Sequence, residues 1–160
     1  VHKTLDLNIT VYAAQNMPLP PDATAKSFRP YIKIELHVEE AAERRYGVAA
    51  AAAAVAGAAP DPKEKAGEYK VRTTTAKGPD PDFGPEGMTL VFKGVPGVVE
   101  ELTFVRFTVR DDQLGRDALA AWACVRLDRL RHGYRFVHLL DANGIETDSV
   151  ILVKIAKKTA

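Results

Sequence analysis

The sequence predicts an all-β fold, an eight-stranded antiparallel β-sandwich, and three observations carry that prediction. Residues 133–140 alternate apolar and polar side chains, and the Asn143-Gly144 pair that follows reads as a tight turn into another strand. Leu5, Leu7, Ile9 and Val11 alternate with Asp6, Asn8, Thr10 and Tyr12, the period-two pattern of a strand with one buried face. Similar segments recur along the chain, separated by polar loops and without helical periodicity. Two half-apolar sheets must cover each other's inner faces, so a sandwich is the natural solution.

The elements follow in order. Strand one, residues 5–12, leads into a proline-rich loop, residues 17–30. Residues 31–36 alternate again and form strand two. Residues 39–67 are charged, then alanine-rich, then rich in proline and lysine. They offer no amphipathic face to pack, which predicts a mobile low-complexity insertion rather than a docked helix. Order resumes at residues 69–73, and the Gly-, Pro- and Asp-rich stretch 76–87 reads as a loop. Residues 88–92 form the next strand and residues 95–101 turn the chain. Residues 102–110 form a long strand with Val105, Phe107 and Val109 on one face, and residues 111–117 read as a polar loop. Residues 120–127, 134–140 and 149–155 complete the set.

Composition bounds the function. The 160 residues fit one domain, and 46% hydrophobic residues are enough for a sizeable core. With 22 basic and 21 acidic residues the net charge is +1, so no global field points to nucleic acid or to a membrane, and any electrostatic function must come from local clustering. The single cysteine, Cys124, excludes an internal disulfide framework and favours a reducing, intracellular setting. Its apolar neighbours predict a buried structural thiol. The first six residues lack the apolar core of a signal peptide. No apolar run reaches the roughly 18 residues of a membrane-spanning helix, so membrane contact is expected to be peripheral. Ser27 and Ser149 carry no nucleophile signature. His2, His37, His132 and His138 are scattered, with His138 read as structural, and neither a phosphate loop nor zinc-ligand spacing is present.

Four segments in order sharpen the fold: Arg29-Pro30-Tyr31-Ile32-Lys33, Gly78-Pro79-Asp80-Pro81-Asp82-Phe83, Phe104-Val105-Arg106-Phe107-Thr108-Val109-Arg110-Asp111, and Gly133-Tyr134-Arg135-Phe136-Val137-His138-Leu139-Leu140. Together they resemble the C2 domain of phosphoinositide-specific phospholipase C. The resemblance covers residues 1–160 apart from the insertion and implies a type II C2 sandwich. It implies a cytoplasmic, peripheral membrane module whose partners are an anionic phospholipid membrane and the catalytic barrel of a parent enzyme, not nucleic acid. Such a parent would hydrolyse phosphatidylinositol 4,5-bisphosphate to diacylglycerol and inositol trisphosphate, using calcium. The barrel is absent from this sequence, so the chain alone is expected to be non-enzymatic. The alternative is a protein-interaction scaffold without lipid binding.

In that family three loops at one end of the sandwich gather calcium ligands. The resemblance places Asp111, Asp117 and Asp80 at ligand positions. Gln113 stands where an aspartate is usual, and Arg29 where an aspartate precedes proline. Calcium needs six to eight oxygens, and an arginine cannot supply one. Two arrangements follow: a weak calcium site built on Asp80, Asp111 and Asp117, or Arg29 pairing with Asp111 or Asp80 as a permanent substitute for the ion. The arginine favours the second, with calcium dependence weakened or lost.

Two devices for holding a membrane are legible. Leu19, Phe28 and Leu114 are loop residues able to insert, each contributing roughly 1.5–3 kcal/mol if fully buried. Phe83 aligns with a buried aromatic and is expected in the core. Lys33, Lys70 and Arg72 alternate with inward apolar residues, so pairing of their strands would place all three on one outer face for lipid head groups. Each would be worth about 1 kcal/mol near an anionic leaflet. Lys154, Lys157 and Lys158 read as solubilising charge.

Overall fold

The computed structural model describes residues 1–39 and 68–160. Apart from Glu39, the expected insertion at 39–67 lies outside the described residues. The described residues form eight strands: β1 (Lys3–Gln15), β2 (Pro30–His37), β3 (Glu68–Arg72), β4 (Met88–Val98), β5 (Phe104–Gln113), β6 (Arg116–Arg126), β7 (Gly133–Asp141) and β8 (Glu146–Thr159). Short 3-10 turns at Glu100–Leu102 and Leu127–Arg129 precede β5 and β7. No helix among the described residues is long and apolar enough to cross a membrane.

The strands run in the order β3-β2-β5-β6-β7-β8-β1-β4, and every pairing is antiparallel. The two halves of this order fold over one apolar core, as an eight-stranded sandwich requires. The alternation of β1 buries Leu5, Leu7, Ile9 and Val11 completely. They meet Ile32, Ile34 and Leu36 of β2, Val105, Phe107 and Val109 of β5, and Ile151, Val153 and Ile155 of β8. Phe83 packs against the same core, as its position predicts.

Several strands run further than the alternation suggests. Residues 95–98, expected as a turn, continue β4: Gly94, at φ +63°, donates its N–H to the Asp6 carboxylate, and Val95 and Val98 then pair with Leu5 and Lys3. The polar stretch 111–117 is a tight hairpin rather than a loop. Asp111 pairs with Ala118 and Asp112 with Asp117, leaving Leu114-Gly115 at the tip with Gly115 at φ +73°. A two-residue turn with glycine in the left-handed region is the connection that best matches strand twist.

The first and last strands lie side by side. Thr4 N–H donates to the Ala160 carbonyl at 2.8 Å, and Ala160 N–H donates back to the Thr4 carbonyl at 3.0 Å. Both chain ends therefore sit at the pole of the sandwich opposite the 16–29, 73–87 and 114–115 connections.

Candidate functional site

At the loop pole, main-chain bonds stitch the three loops together. The Phe28 carbonyl accepts from Gly78 N–H at 2.9 Å, the Pro30 carbonyl from Ala76 at 2.8 Å, and the Arg29 carbonyl from Asp112 at 2.8 Å. This stitching draws Phe28 inwards, and its side chain is completely buried. Phe28 is therefore a core residue and not one of the inserting tips. Leu19 and Leu114 do project into solvent, Leu114 without shielding. Ile145, at the tip of the β7–β8 hairpin, is also exposed at this pole; lying beside the Asn-Gly turn, it reads in the sequence only as part of that turn.

Asp111 lies in the middle of the stitched loops and is almost fully buried. Its Oδ1 accepts from the Arg29 main-chain N–H at 2.9 Å and from Gln113 Nε2 at 2.8 Å. The same Gln113 nitrogen donates to the Ser27 carbonyl at 2.6 Å. Gln113 thus ties the first loop to the β5–β6 hairpin through one donor that touches a carbonyl and a carboxylate. The Arg29 guanidinium turns away and donates to the carbonyls of Lys26 and Phe28 at 2.7 and 3.1 Å. The expected pairing of Arg29 with Asp111 or Asp80 is not formed; the arginine meets Asp111 through its backbone alone. The next-but-one position along a strand shares a face, which places Gln113 rather than Arg29 beside Asp111.

The other two expected ligands are engaged elsewhere. Asp80 Oδ1 accepts from Asn16 N–H at 2.9 Å, holding Asn16 in a left-handed turn at φ +56°. Asp117 Oδ2 accepts from the Tyr31 hydroxyl at 2.8 Å. Burial and that hydrogen bond both raise the Tyr31 phenol above its ordinary pKa. Asp80, Asp111 and Asp117 do not converge on one point. Asp111 Oδ2 is buried without a hydrogen-bond partner, but one free carboxylate oxygen beside an amide donor falls far short of a calcium cage. Among the described residues, the one trio of histidine or carboxylate groups within 4.8 Å of one another is Glu35, His37 and Glu68, on the outer face of β2 and β3. Those groups already bond each other, His37 Nε2 to Glu35 at 3.1 Å and His37 Nδ1 to Glu68 at 3.4 Å.

The outer face of β3, β2 and β5 gathers the cations. Lys33 lies directly across from Arg72, and Glu35 from Lys70, so all three expected head-group residues share this face. The register with β5 adds Arg106 beside Glu35 and Arg110 beside Tyr31. Nothing in the sequence pattern marks these two arginines for binding; only strand pairing brings them next to Lys33. The cations differ in freedom. Arg72 lies 3.6 Å from the centre of the Tyr31 ring, reaches Asp112 at 3.7 Å and donates to the Thr73 carbonyl at 3.0 Å. Lys33 pairs with Glu35 at 3.2 Å. Lys70 is exposed and makes no ion pair among the described residues. Burial opposes ionisation of Glu35, but the Lys33 hydrogen bond and the charges of Lys33, His37 and Lys70 outweigh it and lower its pKa.

Three further expectations change. Cys124 is exposed on β6, across from Arg106, and is not a core thiol, because strand alternation turns it outward. Partial burial still raises its pKa, with Arg106 opposing. His138 is exposed on β7 rather than packed. Lys157 is a structural cation: it donates to the Leu127 carbonyl at 2.8 Å and pairs with Glu100 at 3.0 Å.

Strand order and loop stitching together describe a C2-type sandwich fold. No family model matches the chain, and no curated protein does. Solved structures do. PLC21 from S. officinalis matches with TM-score 0.62 at 17% identity, over 98% of this chain and 16% of that one. PLC21 from L. pealei matches with TM-score 0.60 at 19% identity, over the same 98% and 16%. A C2 domain of plant Extended Synaptotagmin 1 matches with TM-score 0.63 at 12% identity, over 97% of this chain and 95% of that domain. The chain has the C2 fold and spans about a sixth of the PLC21 chains it resembles.

Proposed function

We propose that this chain is a membrane-docking C2 module that holds an anionic phospholipid surface without calcium. The observation that carries this reading is the segregation of Lys33, Lys70, Arg72, Arg106 and Arg110 onto one sheet face of a chain with net charge +1. Phosphate head groups seat on this face, with Lys70 and Arg106 as the leading contacts and Lys33 and Arg72 released from internal partners as phosphate replaces them. Leu19, Leu114 and Ile145 add apolar contact at the loop pole. Gln113 makes calcium dispensable: its amide joins Ser27 to Asp111, the link between loops that an ion makes in calcium-binding relatives.

The resemblance to phospholipase C supports a wider setting, in which the module works in the cytoplasm beside a barrel that hydrolyses phosphoinositides. Sedimentation with phosphatidylcholine vesicles, with and without phosphoinositide, each in calcium or chelator, tests the reading. Binding that needs phosphoinositide and ignores calcium is expected. Binding that requires calcium overturns it, and no binding under any condition leaves a protein-interaction scaffold.

A further inference from the structure

The seam between the two halves of the sandwich is left open. β6 and β7 are consecutive and antiparallel, yet they pair only at Ala121 with Asp141 and at Trp122 with Leu140. Beyond those pairs the strands part, and a groove of about 570 Å³ lies between them. Residues 122–125 form one wall and residues 135–138 the other. Neighbours along a strand point to opposite faces. Consecutive residues on each wall therefore mean that strand edges, with their main-chain groups, border the groove. On its other side β6 remains fully paired with β5, from Phe104 with Arg126 to Gln113 with Arg116. An edge with free N–H and C=O groups is a template for another strand.

The chemistry of the rim is one-sided. Arg129, Arg131, Arg135 and His138 line the groove, and no aspartate or glutamate does. Among the described residues none of the three arginines has an ion-pair partner. Arg135 instead donates to the carbonyls of Arg131 and His132 at 3.3 and 2.8 Å. Asp128, whose ionisation Arg129 also favours, is held by Arg126 through two bonds at 2.6 and 2.7 Å. Between these charges lie Trp122, Leu130, Leu140 and the exposed ring of Phe136.

We infer that the β6–β7 seam is a peptide-binding groove that takes a short, extended, acidic segment of a partner protein. The segment adds to the open edge of β6 between Trp122 and Arg126. Its main chain meets that of β6, its apolar side chains fall against Phe136 and Leu130, and its carboxylates meet Arg129 and Arg131. Strand addition draws affinity from the main chain and selectivity from alternate side chains, and the basic rim selects acidic sequences. A lipid would satisfy the arginines but leave the strand edge unpaired, which is why a peptide is the better occupant. The groove borders the Arg106 end of the cationic face, since Arg106 pairs across from Cys124 and lies 5.9 Å from the centre of the Trp122 ring. The peptide reading nevertheless rests on the strand edge and the rim arginines and does not depend on the function proposed for that face.

The chain supplies its own reporters, because its only tryptophan, Trp122, and its only cysteine, Cys124, both line the groove. The probe is a short peptide alternating glutamate with valine, added to the full chain. It is compared with the same peptide carrying lysine for glutamate, with a form N-methylated at alternate residues, and with phosphatidylserine vesicles. The glutamate peptide is expected to shift Trp122 fluorescence and slow thiol labelling of Cys124 several-fold, while the lysine and N-methylated forms do neither. Arg129→Glu with Arg131→Glu, both exposed positions, should weaken binding at least tenfold with the melting temperature unchanged. Equal protection by the N-methylated peptide overturns strand addition. Protection by vesicles alone overturns the peptide reading in favour of lipid, and protection by none of the probes overturns the site.

Discussion

Gln113 carries the residue-scale question. If its amide stands in for an ion, Gln113→Asp should restore the missing carboxylate and a response to calcium. The expected result is a melting temperature that rises several degrees between chelator and millimolar calcium in the variant and stays unchanged in the parent. The site is partly legible in the sequence. Asp111 and the departures at Gln113 and Arg29 are visible there, but which of the two fills the gap depends on side-chain direction, which a linear pattern does not carry. Phe28 shows the same limit from the other side: an aromatic in a proline-rich loop reads as a tip until main-chain bonds from Gly78 and Asp112 pull the loop inwards. Phe28→Ala should cost about 3–5 kcal/mol in urea unfolding, the usual loss for a buried phenylalanine. An inserting tip would cost almost nothing. Glu35 gives a pH prediction. Its lowered pKa means that it stabilises the fold above the ordinary glutamate value of about 4.3 and loses that contribution as pH falls through the folded value. Glu35→Gln should therefore narrow the stability gap between neutral pH and the region below pH ~4, measured by denaturant unfolding at each pH.

At the scale of elements, the sequence pattern finds each strand of the described residues and misjudges their ends. Alternation reports burial, so it fades where a strand continues beyond the core. This is why the pattern of β5 and β6 stops short of residues 111–117, although the hairpin pairs through Asp112 and Asp117. The same holds for β4, whose continuation past Gly94 depends on the Asp6 carboxylate, a partner 88 positions away. Gly87, just before β4, supports the packing of that strand on β1. It adopts φ +66°, and an added Cβ would lie 2.8 Å from the Val11 carbonyl and from Thr10 Cγ2. Gly87→Ala should destabilise the fold by at least about 1 kcal/mol, measurable as a lower urea midpoint at an unchanged slope. The parting of β6 and β7 is not legible in the sequence: residues 118–125 of β6 form a continuous apolar run, β7 alternates, and only register shows that the two strands separate.

For the whole molecule, the sign of the net charge says little and its distribution says much. Lys70 and Arg106 come from segments 36 positions apart and meet across Glu35. Lys70→Ala with Arg106→Ala should reduce phosphoinositide-vesicle binding about thirtyfold at low salt, at about 1 kcal/mol per cation. The difference should shrink as salt shortens the Debye length. The reciprocal hydrogen bonds of Thr4 and Ala160 have a topological consequence. Because the ends meet, a short flexible linker from Ala160 to Val1 would close the polypeptide into a ring without disturbing a strand. Reopening that ring at the Leu114-Gly115 tip would give a circular permutant expected to refold to the same sandwich. Cargo fused to its new ends would then ride at the pole proposed to face the lipid.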